Sequence, residues 1–212
     1  TSMDWRRQVC ELIKSRGRVL FPKLAPFIHS LKYVGQGIPV KQVSALENLL
    51  RFTRLLDDNG IPYFLSGGTL LGAVRQEAFA GRPGDIDLGI FENDEQKLLE
   101  LMPQLAQIGF ERDAAYVHHP DKIVFTKWRT PHVDIMVYRP IIAGSAKALT
   151  IFRHINASGQ AFDCSIDLVQ KRKGKIFSFY FPIPDNSEQV IENQYGANWR
   201  TPDAPQLSLK HR

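Results

Sequence analysis

Asp85 and Asp87, in Gly84-Asp85-Ile86-Asp87-Leu88, stand at the head of an apolar run that reads as a strand. Side chains along a strand alternate faces with period two, so both carboxylates point to one side and converge. Like charges that close repel and raise each other's pKa unless a cation lies between them. Hard oxygen ligands suit Mg²⁺ or Mn²⁺. Upstream, Ser66-Gly67-Gly68-Thr69 follows an expected strand and opens an expected helix. Glycines there let a phosphate approach backbone N–H groups, and the helix N-terminus adds partial positive charge. Asp134, in His132-Val133-Asp134-Ile135-Met136, is a carboxylate inside an otherwise apolar strand. On a neighbouring strand it completes a three-carboxylate site able to hold metal or to take a proton from an attacking hydroxyl. Each feature alone has a plain alternative: a structural turn, a solvated strand start, a solvent-facing acid. In this order they point together to metal-assisted chemistry on a phosphoryl group.

The elements that must position these residues are legible from periodicity. Apolar positions Val43, Leu46, Leu49, Leu50, Leu55 and Leu56 predict an amphipathic helix from Val40 to Asp58, stopped by Asn59-Gly60. Ile61–Leu65 reads as a short strand, Thr69–Arg75 as a helix and Ile86–Phe91 as a strand with alternating faces. Asp94–Ile108 reads as one helix, with Asp94 its N-cap and Gly109 its stop. Lys122–Trp128 and His132–Tyr138 read as strands joined around Arg129-Thr130-Pro131, and 139–170 is ambiguous. A hairpin over Lys175–Pro182, a helix over Ser187–Tyr195 and a loose tail from Trp199 complete the chain. This alternation predicts an α/β (α+β) fold, a mixed β-sheet with flanking helices. It divides into a basic N-terminal helical extension (1–39), a catalytic domain (40–202) and a C-terminal tail (203–212).

With 212 residues, 43% of them hydrophobic and 23% charged, the chain can bury a core as an ordinary globular protein. Its net charge of +5 is concentrated in Arg6, Arg7, Lys14, Arg16, Arg18, Lys23 and Lys32, against which that segment sets only Asp4 and Glu11. An acidic membrane surface or a phosphate-rich acceptor would be drawn there, or the run is a solvated helix face. Nucleic acid is disfavoured, because no stretch interleaves basic and aromatic residues. No apolar run reaches membrane-span length and no signal peptide is visible. Thr1-Ser2-Met3 reads as an added stretch ahead of a start methionine, which leads to the expectation that flanking domains have been removed. Cys10 and Cys164 lack metal or redox spacing. The expected location is cytoplasmic, peripheral to the inner membrane face, or the Golgi lumen for a eukaryotic source. His118, His119 and His154 also lack metal spacing, and Asp163 and Asp167 read as surface acids, on one face if helical.

The order G-G-T-x-x-G, then D-x-D, then an acid flanked by apolar residues resembles the nucleotidyltransferase superfamily. The fuller string GGTLLGAVR…DIDLGIF is similar to its LicD/fukutin branch. A second match, Tyr195-Gly196 through Trp199 to Pro202, resembles the Y-G-x-x-W-x-x-P ending of that family, so the likeness runs from about Val40 to Pro202. Residues 75–84 keep the length of the family's R-H-G-G-F-I-P-W-D-D segment but lack its histidine, tryptophan and acids, which bears on the head group carried.

The resemblance implies a nucleotidyltransferase-like fold. It implies a metal-dependent transferase that moves a phosphoalditol (ribitol or glycerol phosphate) or phosphocholine from a CDP-linked donor to a hydroxyl of a glycan or glycolipid, releasing CMP. Mg²⁺ or Mn²⁺ would sit on Asp85, Asp87 and Asp134, which are also the catalytic residues. Ser66, Gly67, Gly68, Thr69, Arg75 and Tyr195 would bind substrate, with Lys122 and Lys127 weaker candidates. A nucleotidylyltransferase or sugar-nucleotide glycosyltransferase with the same D-x-D, and a non-catalytic glycan- or nucleotide-binding module, stay open as alternatives.

Overall fold

The computed structural model describes residues 33, 36–81, 83–141, 151–155, 161–166, 168 and 171–202. The basic segment, both cysteines' side chains and the last ten residues lie outside them, and with them the expectations for a helix over 4–20 and for the tail beyond Pro202.

Helix α1 spans Val40–Asp58, the limits its periodicity predicts. Val43, Leu46, Leu49, Phe52 and Leu56 recur at helical spacing and are all buried. Gly60 adopts φ +63° just past its end, and Ile61 N–H returns to Leu56 O at 3.0 Å. Strand β1 is only Phe64–Leu65. Helix α2 runs Gly67–Gln76, strand β2 Asp85–Phe91, helix α3 Glu92–Glu100 and helix α4 Met102–Gln107. Strands β3 (Glu111–Arg112), β4 (Lys122–Thr126) and β5 (His132–Ile141) follow. Then come β6 (Ile151–Ile155), β7 (Ala161–Ser165), β8 (Lys173–Ile176), β9 (Phe179–Pro182) and helix α5 (Ser187–Tyr195).

The sheet order is β1-β2-β5-β4-β3, with β6 and β7 continuing from the far end of β5, and β8-β9 form a separate hairpin. Among the described residues only β2 and β5 pair in parallel, and every other pair is antiparallel. The register gives the sheet two chemically different faces. Ile86, Leu88 and Ile90 of β2 share one face with Ile123 and Phe125 of β4 and with Val133, Ile135 and Val137 of β5. Helix α1 covers that face, its Phe52 ring 5.3 Å from both Phe110 and Phe125. The opposite face carries Asp85, Asp87, Lys122, Asp134, Met136 and Tyr138.

Several local expectations are corrected. The alternation in β2 holds in chemistry but not in exposure, because α1 buries one face while α2 and β1 cover much of the other. The helix expected over 94–108 breaks at Leu101 and restarts with Pro103 in its first turn, where a missing N–H costs no hydrogen bond. Asp94 lies inside α3 and pairs with Lys97 at 2.9 Å rather than capping the helix. The ambiguous stretch contains the β6–β7 hairpin, where Arg153 grips Asp163 through two 2.7 Å contacts. Asp163 is thus a strand residue, and Asp167 lies outside the described residues. The tail is not loose at its start: Trp199 is buried in the core. Tyr33 and Ile38, ahead of the expected domain boundary, are buried there too. Among the described residues, no helix is long and apolar enough to cross a membrane.

Candidate metal and phosphate site

The parallel register sets Asp87 opposite Asp134 and Asp85 opposite His132. Neighbouring strands lie about 4.8 Å apart, so period two on β2 and pairing with β5 bring three carboxylates to one point. Asp85, Asp87 and Asp134 each offer a ligand oxygen, all within 4.8 Å of one another. Asp85 is exposed at the rim, while Asp87 and Asp134 are buried.

The start of α2 braces Asp87 on every side. Gly68 N–H donates to Asp87 Oδ2 at 2.8 Å, Asp87 N–H donates to Thr69 Oγ1 at 2.9 Å, and Ser66 N–H donates to Asp87 O at 3.1 Å. Gly67 has to be glycine for two reasons: its φ is +46°, and a Cβ there would lie 2.6 Å from Asp87 Oδ2. Ser66 Oγ turns inward and shares a 2.8 Å hydrogen bond with Tyr138 Oη. The four residues expected to cradle a phosphate thus brace Asp87, with the hydroxyls of Ser66 and Thr69 buried.

Burial, then the charges of Asp85 and Asp134, push the Asp87 carboxyl up to about 7, against the amides of Gly68 and Thr69. Asp134 is also raised by burial, although Lys122 Nζ lies 2.6 Å from its Oδ2 and pulls the other way. Burial favours the neutral form of the Lys122 amine, but the bond and charge of Asp134 outweigh it and leave the pKa above its ordinary value. Asp134 Oδ1 is buried with no hydrogen-bond partner among the described residues. A buried lone pair left unpaired is costly, and a divalent cation between the three carboxylates would satisfy it. The donor set is all oxygen, the chemistry Mg²⁺ and Mn²⁺ prefer, so these residues fit such an ion.

Tyr195 and Arg75 lie at the edge of this site. A Cβ on Gly68 would be 3.8 Å from Tyr195 Oη, which places the hydroxyl over the start of α2. Burial of the hydroxyl end, then the charges of Asp87 and Asp85, raise its pKa, while the ring remains 45% exposed. Arg75 donates to the carbonyl of Trp199 at 3.3 Å and tempers the Tyr195 shift. Of the two lysines considered, Lys122 belongs to the site. Lys127 instead sits over the Phe110 ring at 5.0 Å, beside α1's face of the sheet. Sequence spacing gives Lys122 only as a weaker candidate because its link to Asp134 needs the antiparallel β4–β5 register; its only local signal is a lone cation opening an apolar run.

Residues 60–162 match the family model described as LicD/FKTN/FKRP, nucleotidyltransferase domain. An uncharacterized protein, RP689, of Rickettsia prowazekii (strain Madrid E) is 39% identical over 71 residues, 33% of this chain and 27% of that protein. The ribitol-5-phosphate transferase FKTN of Mus musculus is 26% identical over 173 residues, 74% of this chain and 33% of that protein. The matches therefore span a third or less of these curated relatives. Among solved structures, the lincomycin-bound lincosamide antibiotic adenylyltransferase LnuA aligns at TM-score 0.45 and 15% identity, over 68% of this chain and 82% of that one. Residues 60–162, the span that matches the LicD/FKTN/FKRP nucleotidyltransferase domain, carry all three aspartates and their bracing turn.

Proposed function

We propose that the chain is a metal-dependent transferase that moves a substituted phosphate, a phosphoalditol such as ribitol phosphate, from a CDP-linked donor to a glycan hydroxyl and releases CMP. The observation that carries this reading is the convergence of three aspartates within 4.8 Å, with a buried, unpartnered oxygen on Asp134, inside a domain of this family. The alditol is favoured over phosphocholine because residues 75–84 lack the histidine, tryptophan and acids of the LicD loop, and because the longest curated match is to a ribitol-5-phosphate transferase.

Mg²⁺ or Mn²⁺ held by Asp85, Asp87 and Asp134 would neutralise the donor diphosphate and stabilise the leaving CMP. The remaining work falls to the chain. Gly68 N–H fixes the rotamer of Asp87, and Thr69 fixes its backbone, so the carboxylate is pre-oriented. Asp134 would bind the metal or take the proton of the attacking acceptor hydroxyl. Tyr195, whose hydroxyl stays protonated, donates a hydrogen bond to a donor phosphate oxygen. Arg75 adds positive field beside it.

The test is incubation with CDP-ribitol, CDP-glycerol, CDP-choline, UDP-sugars and ATP, with Mn²⁺ or EDTA, reading thermal shift and CMP release. Metal-dependent stabilisation by CDP-alditols above the others supports the proposal. Preference for ATP- or UDP-type ligands, with pyrophosphate or nucleoside diphosphate released, would replace it with a nucleotidylyl- or glycosyltransferase.

A further inference from the structure

Resting on that metal-dependent reading, we propose that Lys122 occupies the place of a second divalent cation, so that the three-aspartate site holds one metal ion per chain and not two. Three ionised carboxylates carry three negative charges. One divalent ion and one ammonium neutralise them; two divalent ions beside that ammonium would overshoot. The geometry divides Asp134 accordingly. In the β4–β5 register Val124 lies opposite Asp134 and Lys122 opposite Met136, which puts Lys122 on the acidic face, diagonal to Asp134. Its Nζ lies 2.6 Å from Asp134 Oδ2, with the two side chains only 14% and 5% exposed. The other oxygen, Oδ1, is the buried unpartnered one. Asp134 thus keeps one oxygen for an ion shared with Asp85 and Asp87 and commits the other to the ammonium. In a two-metal site the ions sit about 4 Å apart and both draw on the surrounding carboxylates; here one oxygen of Asp134 is already held by the ammonium. The Tyr116 ring, 5.2 Å from Nζ, backs the lysine on its other side. Nearby cations do not substitute for it: Arg75 is engaged with Trp199 O, and His132 is exposed beside Asp85 at the rim.

The test counts bound Mn²⁺ on chelator-stripped protein by the loss of the free-ion EPR signal, without nucleotide. Wild type should bind one ion. Lys122→Met should bind two, the first about tenfold tighter because a neighbouring positive charge is gone. Lys122→Arg, which keeps the charge, should return the count to one. Lys122→Gln carries the same expectation as Lys122→Met and serves if the latter fails to fold. A merely structural ion pair would lower Tm in the Met variant and leave its count at one, and that result overturns the proposal. Two ions on wild type overturn it as well while leaving the metal site standing. No ion on wild type overturns the metal-dependent reading itself.

Discussion

Three carboxylates gather at each end of the β2–β5 pair, and the fold treats the two groups in opposite ways. At the far end, Glu92, Glu95 and Asp121 surround Arg139. Its Nη1 meets Glu92 at 2.7 Å, Nη2 meets Glu95 and the carbonyl of Pro120 at 2.8 Å, and Nε meets Asp121 at 2.8 Å. These acceptors take four of the five N–H groups of the planar guanidinium, and although burial opposes it, they hold its pKa above the ordinary value. At the near end Asp85, Asp87 and Asp134 receive one ammonium, on one oxygen, and Asp87 is pushed up to about 7. Where the chain supplies its own cation, the acids tie α3 and the loop before β4 to β5. Where it supplies one ammonium to three acids, part of their charge is left unmatched, as the proposed cation requires. Acid clusters of similar size thus differ in purpose according to whether the charge is already matched.

The comparison can be broken most severely at Asp87. Asp87→Asn should lower transfer by about 10³-fold or more, while circular dichroism stays native and the metal-free Tm rises, since one of three repelling charges is gone. Turnover at the wild-type level would remove Asp87 from the reaction. Arg139→Met attacks the other end. It leaves three acids without their cation and should cost about 2 kcal/mol, discounted for its partial exposure, read as a lower denaturant midpoint with Mn²⁺ affinity unchanged. If metal affinity fell with stability, the two ends would be coupled and the contrast would fail. Gly67→Ala forces a Cβ onto Asp87 at φ +46° and should cost about 1 kcal/mol. It should also weaken Mn²⁺ binding, where a change at a mere turn would affect stability alone. A further test is in pH. Asp87 holds its proton in the folded chain up to about 7, from an ordinary value of 3.8, so the folded state binds more protons than the unfolded in that interval. Metal-free stability should therefore fall as pH rises from about 4 to about 7. Saturating Mn²⁺ should flatten that slope in a Tm series; an equal slope with and without metal would show that the ion does not touch Asp87.

Much of this was legible before any coordinates. The limits of α1 and α5 follow from apolar residues every third or fourth position and from the stops behind them, Asn59-Gly60 and Gly196. The paired aspartates of β2 follow from period two alone. The role of Ser66–Thr69 was only half legible: a glycine turn and a helix start are local features, but that its amides serve Asp87 depends on α2 folding back against β2. Arg139 gave no signal, because its partners lie at positions 92, 95 and 121 in three separate segments. The β6–β7 hairpin escaped for a related reason: its strands pair with each other and with the end of β5, and neither shows an apolar period of its own.

The sequence by itself determined which residue types lie along each strand and which face of it they share, because those depend on backbone geometry over a few residues. Tertiary structure alone decided which strand lies beside which, and in what register. That choice sets Asp87 against Asp134, Lys122 on one oxygen of that aspartate, and Arg139 among the other acids. A shift of one residue in either pairing would send Asp134 or Lys122 to the opposite face, and that register is selected by burying Phe52, Phe110 and Phe125 together beneath α1, far in sequence from the acids it aligns.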